Sequence, residues 1–178
     1  CSIPWTDNER KVMEASGMAQ KATGAPLLIH PGRQETSPLE IITFLDKLGA
    51  DISNTIMSHI DRTIFNWEAL EALAKSGCYL EFDLFGLETS YYPFGPSSYM
   101  PNDIQRMDHI QNLFDNGFGD QVLIAHDVCS KHRLVRYGGH GYAHILRNIV
   151  PRMRDRGFTE EFINALLVEN RKRVLTFK

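Results

Sequence analysis

The chain has 178 residues, of which 43% are hydrophobic, and its formal net charge is −3 at pH 7. This length predicts one ordinary domain, the hydrophobic fraction excludes a disordered chain, and the charge gives no reason to expect a nucleic-acid partner. No apolar run is long enough to span a bilayer and no signal-peptide pattern is present, so we expect no membrane association. Three cysteines, an odd number, lie in or beside apolar segments, which predicts reduced packing thiols in a cytoplasmic protein: Cys1, Cys78 and Cys129.

In chain order, the sequence predicts helices and short strands in alternation. Thr6 begins a capping box, and Ser37 is the predicted cap of the next helix, with Pro38 at its first position. The predicted helices are 6–23, 37–49, 66–77 and 103–116, and the predicted strands are 26–30, 55–59, 78–84 and 121–126. Two long loops, 85–101 and 127–142, and a helical tail interrupted at Pro151 and Gly157 complete the prediction.

Repeated strand–helix units predict an α/β fold with a parallel sheet. No glycine-rich phosphate fingerprint follows any strand, which argues against a nucleotide-binding doubly wound sheet and leaves a barrel. A whole (β/α)8 barrel needs roughly 250 residues, so four strands make half of one. The chain begins with Cys1 rather than methionine, and residues 1–5 resemble the end of a strand and its loop. We therefore expect residues 1–178 to be a single partial domain that an N-terminal part precedes.

Three of the four predicted strands end on a possible metal ligand, namely His30, His59 and Asp127. Side chains at the carboxyl ends of parallel barrel strands meet at the mouth of the barrel. A histidine or aspartate buried there is costly unless it is paired or binds a metal. The order His, His, Asp therefore predicts a convergent metal site and a hydrolase. For each residue alone, a structural hydrogen bond or a strand-end cap is the alternative.

The other histidines have weaker signals. Successive side chains of a strand point to opposite faces, so His126 would point away from the face of Asp127. This predicts a packing or supporting role for His126. His140 and His144 have the i, i+4 spacing of a helical zinc pair, but the glycines between and around them favour two loop histidines. We expect His109 and His132 to be solvated.

Charged and aromatic residues follow the strand ends. Asp83 lies near the end of the third strand and would either orient a neighbouring group or make a structural hydrogen bond. Arg33 and Arg136 are predicted to bind substrate, as parts of a cationic rim for an anionic ligand; solvated surface charge is the alternative. The remaining members of that rim are Arg62, Lys131 and Arg133. Aromatic residues of the first long loop are candidates for a pocket wall: Tyr91, Tyr92, Phe94 and Tyr99.

Four segments together resemble the phosphotriesterase family of the amidohydrolase superfamily: Ile29–Arg33, Ser58–Arg62, Leu123–Asp127 and Glu169–Leu175. The resemblance covers the whole chain, and the order and spacing of the ligand strands make it specific. It implies a (β/α)8 barrel with two divalent metal ions, usually Zn²⁺, of which this chain would form the C-terminal half, strands 5–8.

The resemblance also implies roles for individual residues. His30 resembles the strand 5 metal ligand, His59 the strand 6 ligand and Asp127 the strand 8 ligand. The remaining ligands, a His-x-His pair and a bridging carboxylate, are expected upstream of Cys1. In such a site the metals activate water, and Asp127 would act as the base that takes its proton.

Family members cleave phosphotriesters, lactones and amides, and one branch is associated with hydrolysis of N-acetyl-taurine and similar N-acyl amino acids. The resemblance therefore implies a zinc-dependent amide hydrolase of a small molecule, and the cationic rim predicts that this substrate is anionic. The alternative is a catalytically incomplete fragment that acts as a binding or assembly module, because a half barrel exposes sheet edges and apolar surface that invite association into an oligomer. Under either reading, we expect little or no activity from the isolated chain.

Overall fold

Four parallel strands form the centre of the structure, a computed structural model that describes residues 1–89, 91 and 100–176. The strands lie side by side in chain order: β1 (Leu27–Ile29), β2 (Thr55–Met57), β3 (Tyr79–Phe82) and β4 (Val122–Ile124). The helices are α1 (Asp7–Thr23), α2 (Ser37–Lys47), α3 (Trp67–Ala74), α4 (Asp103–Asp115), α5 (Val150–Asp155), α6 (Glu160–Asn164) and α7 (Asn170–Leu175). The predicted alternation and the parallel α/β sheet are thus confirmed. In the part of the chain that the structure describes, no helix has the length and apolarity needed to span a membrane.

The outer face of the sheet packs on the helices and carries the main core. Side chains alternate between the two faces of a strand, so Ile29, Met57 and Phe82 share this outer face. All three are buried. Helical residues that are fully buried against this face or in the same cluster include Ile41, Leu45, Leu73, Ile110 and Phe162. Burial of this apolar layer is the main favourable term that holds the helices on the sheet.

The inner face of the sheet is only partly covered. Ile56, Tyr79 and Leu123 are buried in a small second cluster with Val174 of α7. Leu28 of β1 lies on the same face and is 60% exposed. β1 and β4 are the edges of the sheet, and neither pairs with a further strand among the described residues. The fold therefore leaves apolar inner surface and two strand edges open.

Most of the predicted helix starts are confirmed by capping hydrogen bonds. The Thr6 hydroxyl accepts the Glu9 N–H at 3.2 Å, and the Glu9 carboxylate accepts the Thr6 N–H at 2.8 Å, which completes the capping box. The Asn66 side chain accepts the Ala69 N–H at 2.8 Å. Thr159 caps α6 in the same way. Each of these residues satisfies a backbone donor that the first helical turn leaves unpaired.

The prediction that Ser37 caps its helix is wrong. The helix begins at Ser37 itself, and Thr36 in the cap position makes no side-chain capping bond. The Ser37 hydroxyl is fully buried and instead accepts the Gly32 N–H at 2.8 Å. A partner from the loop after β1 thus replaces the local one, and it ties the start of α2 to that loop.

The predicted break at Pro151 is also wrong. The chain enters the helix at His144, passes through a π-helical turn over Ile145–Ile149, and continues directly into α5. Pro151 lies in the first turn of α5, where its missing N–H costs little after the wider turn. The break at Gly157 is confirmed, since Gly157 has a φ of 86° and lies between α5 and α6.

The cysteines are free, as predicted. Cys78 is buried, and burial raises the pKa of its thiol to about 11, so it is an inert packing residue. Cys1 is half-buried. Cys129 is exposed, so the packing prediction is wrong at that position.

Candidate active site

The ends of β1 and β2 bring His30 and His59 together. His30 directly follows β1, and His59 comes two residues after β2 ends. Nδ1 of His30 lies 2.8 Å from Nε2 of His59, and the two rings meet edge-on with centroids 4.3 Å apart. The strands are paired up to this point, because the Ser58 N–H donates to the Ile29 carbonyl at 3.0 Å. The two residues predicted as neighbours at the sheet edge are therefore in direct contact.

His59 and Asp127 have an unusual backbone conformation. Their φ angles are 55° and 43°, and they are the only non-glycine residues with positive φ that the described ranges contain. A non-glycine residue in this left-handed region costs on the order of 1 kcal/mol or more, and such residues cluster at functional sites. Both are residues that the sequence predicts as metal ligands. The strain therefore supports the view that these two strand ends are shaped for function.

Asp83 fixes the orientation of the His59 ring. A carboxylate oxygen of Asp83 lies 2.8 Å from Nδ1 of His59, and both side chains are at most one-tenth exposed. Burial raises the pKa of Asp83, and the nearby charges of Asp61 and Asp127 raise it further. Because Nδ1 is engaged with this carboxyl group, Nε2 is the nitrogen that faces His30.

The pKa values of both histidines are lowered from the ordinary value of histidine. Burial, together with the nearby charges of His59 and Arg62, lowers the pKa of His30 to about 4. Burial and Arg62 also lower the pKa of His59. Neutral imidazole is the form that binds metal ions, because the ring nitrogen then has a free lone pair to donate.

Arg62 belongs to the interior of the site rather than to its rim. Its side chain is buried, and Nη2 donates to Nε2 of His30 at 3.0 Å. Nη1 lies 3.4 Å from the hydroxyl of the neighbouring Thr63. The predicted place of Arg62 in a solvent-facing cationic rim is therefore wrong, because the short turn that follows His59 directs this arginine to His30.

Asp127 follows β4 and is held by Arg133. The Arg133 guanidinium donates to the main-chain carbonyls of His126 and Asp127, and it lies 3.6 Å from the Asp127 carboxylate. The Asp127 charge raises the pKa of His59 and contributes to the raised pKa of Asp83, so the carboxylate is within electrostatic reach of that pair. Within residues 1–89, 91 and 100–176, however, no three His, Cys, Asp or Glu side chains lie close enough to hold a metal ion together. The structure thus brings two of the three predicted ligands, His30 and His59, into contact and does not cluster Asp127 with them.

The donor set fits part of a divalent cation site. Ring nitrogens of His30 and His59 face each other, and zinc sites take histidine nitrogen and carboxylate oxygen as ligands. His59 holds its other nitrogen against Asp83, the arrangement that usually supports a metal-binding histidine. Asp127 has a carboxylate within electrostatic reach of His59. These residues would supply at most three ligands, which is fewer than two metal ions require.

Arg33 and Arg136, the predicted substrate-binding residues, are exposed. The Arg136 guanidinium and the Lys131 ammonium lie 6.0 Å and 5.5 Å from the ring centroid of Tyr137, so they share one aromatic side chain. Tyr91, a predicted wall residue, is 75% exposed. The other predicted wall residues lie outside the described residues: Tyr92, Phe94 and Tyr99.

His144 is buried, which corrects the prediction of a loop histidine. Its Nε2 lies 2.6 Å from the Asp103 carboxylate, and the Asn148 side chain donates to its Nδ1 at 2.8 Å. His140 is exposed, and its ring lies 4.3 Å from that of His144 between centroids. The run of glycines that argued against a helix stops at Gly141, and the helix begins at His144.

The other histidines divide between packing and solvent. Nε2 of His126 accepts the Ile145 N–H at 3.1 Å, in agreement with the predicted packing role. His132 is exposed, as predicted. His109 is half-buried, and burial lowers its pKa, so the prediction that it is solvated is wrong.

Sequence reasoning missed a buried charged cluster behind this site. Arg106 is fully buried and contacts Asp61 and Asp103. The i, i+3 spacing of Asp103 and Arg106 on one helix is a local signal that pairs them. No local signal connects them to Asp61, which lies 45 positions earlier than Arg106.

Comparison with known proteins relates the chain to one protein family. The sequence pattern of the Phosphotriesterase family matches residues 1–175. The N-acetyltaurine hydrolase of Bos taurus is 52% identical over 178 residues, which are 100% of this chain and 51% of that protein. The phosphotriesterase-related protein of Nematostella vectensis is 53% identical over 178 residues, with the same coverage of both chains. The chain thus spans about half the length of the curated relatives that it matches.

A solved structure supports the same conclusion. The resiniferatoxin-binding protein of Rhodobacter sphaeroides superposes with a TM-score of 0.89 at 31% identity, over 99% of this chain and 50% of that chain. The four-stranded sheet is therefore half of a (β/α)8 barrel, as the sequence predicted. With its family pattern matched over nearly every residue, the chain belongs to the phosphotriesterase family.

Proposed function

We propose that this chain forms part of a metal-dependent hydrolase that cleaves the amide bond of small N-acyl amino acids, with N-acetyltaurine as the leading candidate. The observation that carries the proposal is the contact between the His30 and His59 rings at the ends of β1 and β2, with Asp83 behind His59. The relatives named N-acetyltaurine hydrolase, about half identical to this chain, favour the amide substrate.

His30 and His59 would hold a divalent cation, with Asp127 as a further ligand. Nitrogen and carboxylate donors suit Zn²⁺, and two such ions would need additional ligands of the kind that the unmatched half of the curated relatives would supply. When bound, such a cation acts as a Lewis acid and activates water at neutral pH.

The residues of this chain have distinct tasks in the proposed reaction. Asp127 accepts the proton of the attacking water and returns it to the leaving amine. Asp83 keeps the His59 ring in one orientation, and Arg62, which donates to Nε2 of His30, holds the His30 ring in place. Arg133 holds the backbone of Asp127 and thereby keeps its carboxylate at the end of β4.

Arg33 and Arg136 are the proposed substrate-binding residues. Both are exposed in segments that follow β1 and β4, the strands that also precede His30 and Asp127. A guanidinium suits the sulfonate or carboxylate of an N-acyl amino acid. Kinetics of Arg33→Ala and Arg136→Ala on anionic and neutral N-acyl substrates test this role. We expect larger losses on the anionic substrates, and equal losses on both would refute it.

A second candidate function is that of an incomplete module that acts by association. The exposed Leu28 and the two open edges of the sheet favour it, because open edges and apolar surface invite a partner. In that case the chain would assemble with another chain and would not release taurine itself.

Complementation separates these two functions. The chain is expressed alone, or together with the part of the bovine N-acetyltaurine hydrolase that it does not match. We then measure bound metal by elemental analysis and the release of taurine from N-acetyltaurine. From the chain alone we expect little bound metal and no taurine release. From the complemented pair we expect about two bound metal ions and taurine release. His59→Ala in the complemented pair is the control and should abolish release; a folded, metal-loaded pair that leaves N-acyl amino acids intact would overturn the proposal.

A further inference from the structure

Arg106 is the largest fully buried side chain of the described residues, and its donors are all directed to acceptors near the strand ends. Nε donates to Asp61 at 2.8 Å and Nη1 donates to Asp103 at 2.9 Å. Nη1 and Nη2 also donate to the Leu87 carbonyl at 3.2 Å and 3.3 Å. A buried guanidinium is tolerated only when such partners compensate the loss of water.

Asp61 connects this arginine to the His59–Asp83 pair. The Asp61 oxygen that accepts from Arg106 also accepts the Leu84 N–H at 3.0 Å. Asp61 lies two residues after His59, and Leu84 directly follows Asp83. One carboxylate therefore joins the chain just beyond the histidine to the chain just beyond its aspartate partner.

Asp103 extends the same connection to two more segments. Its carboxylate accepts the Gly86 N–H, at 3.0 Å from one oxygen and 3.2 Å from the other. It also lies 2.6 Å from Nε2 of His144, in the segment after β4. Asp61, Asp103, Arg106 and His144, the Arg106 cluster, thus hold together the segments that follow β2, β3 and β4.

We propose that Arg106 is a positioning residue that, through Asp61 and the Leu84 N–H, holds Asp83 against His59 and so fixes the direction of His59 Nε2. A purely stabilising ion pair does not need this geometry, because apolar side chains of similar volume often replace buried ion pairs without loss of stability. The proposal rests on the proposed function only in treating His59 as a metal ligand. The hydrogen bond between His59 and Asp83 is measurable without any metal.

The test uses Arg106→Lys in the 178-residue chain. Lysine keeps the charge, but its single ammonium does not reproduce the planar fork that joins two carboxylates and a carbonyl. The measurement is the NMR signal of the His59 imidazole nitrogens and of the Nδ1 proton, followed by zinc titration. We expect the Nδ1 proton signal to broaden or move upfield, and zinc affinity to fall by about tenfold, as with other residues that support metal ligands.

Arg154→Lys is the matched control. Arg154 makes two hydrogen bonds to Glu160 and is exposed, far along the chain from the site, so both readouts should stay unchanged. Arg106→Lys leaves the buried charges imperfectly paired and could prevent folding. In that case the double variant Asp61→Leu with Arg106→Met, which removes both charges at once, provides the test.

The outcomes separate the two ideas. A folded variant whose His59 imidazole signals match those of the parent would overturn the positioning role and leave Arg106 as a core ion pair. A folded variant that loses the His59 Nδ1 proton signal supports the positioning role. If the parent chain binds no zinc while the signal still depends on Arg106, the positioning role stands and the failure belongs to the proposed metal site.

Discussion

Replacing Asp103 by asparagine gives a quantitative test of the forces in the Arg106 cluster. Asp103 is 4% exposed, and burial alone would raise its pKa. Hydrogen bonds from His144 and from the Gly86 N–H, with the charge of Arg106, outweigh burial and hold the pKa of Asp103 at about 2, below its ordinary value of 3.8.

The sign of the effect on stability follows from proton binding. With its pKa lower in the folded state, Asp103 takes up protons more readily in the unfolded state, so its contribution is present above the unfolded pKa and is lost as the pH falls through 2. The whole contribution is about 2 kcal/mol, and about 1 kcal/mol of it disappears between pH 5 and pH 3.

Urea unfolding of the parent and of Asp103→Asn at pH 7, 5 and 3 measures this difference. We expect the free energy of unfolding of the parent to exceed that of the variant at pH 7 and pH 5, and the gap to shrink by about 1 kcal/mol at pH 3. Asp108→Asn, on the same helix but exposed and paired with Arg156, is the control and should change stability by less than about 1 kcal/mol. A gap for Asp103→Asn that stays constant or widens from pH 5 to pH 3 would refute this account.

Three further predictions concern the core and the strand ends. Ile41→Ala empties a fully buried position and should lower the free energy of unfolding by about 2–5 kcal/mol in urea titrations, with a shift below about 1 kcal/mol counting against tight packing there. Asn170→Ala removes two hydrogen bonds, of 2.9 Å and 2.8 Å, to buried carbonyls near the start of β4; we expect a loss of about 1–3 kcal/mol by the same method. Gly139→Ala places a methyl group 2.3 Å from the Arg133 carbonyl, so the segment that holds Asp127 must shift, and taurine release by the complemented pair should fall about tenfold or more while both histidines still bind metal. Unchanged release would show that this segment does not position Asp127.

Sequence patterns within a few residues predict most of the helices and strands. They fail where a side chain binds a partner outside its own helix or strand. Thr6 and Asn66 cap their helices because their acceptors lie three residues away, within the reach of any sequence rule. Ser37 has the same local pattern, yet its hydroxyl binds the Gly32 N–H, which lies outside the helix. A side-chain Cβ at Gly32 would lie 2.9 Å from that hydroxyl, so the contact depends on a close approach that spacing does not reveal.

Pro151 shows a second limit of sequence rules. The rule that proline breaks a helix assumes a regular ladder of hydrogen bonds four residues apart. The π-helical turn over Ile145–Ile149 changes that ladder just before the proline, so the helix continues. Nothing in the residue types of that turn predicts its wider winding.

Some residues of the candidate site are likewise predictable from the sequence and others are not. His30 and His59 are predictable as neighbours, because the carboxyl ends of parallel strands share one edge of a barrel. Arg62 and Arg106 are not, because charged residues are expected at the surface and their burial depends on specific partners. Those partners lie 32 and 45 positions away in sequence, at His30 and Asp61 respectively.

The charges around His59 support the proposed cation at this site. The negative charges of Asp127, Asp61 and Glu81 act on His59, against the positive charge of Arg62. Asp61 is already matched by Arg106, but Asp127 is one-third exposed at the open end of the sheet and its contact with Arg133 is long. A hydrogen bond between the two histidines supplies no positive charge to balance the Asp127 carboxylate. In the proposed site, the histidines would supply nitrogen ligands to a divalent cation, and the Asp127 carboxylate would balance its charge.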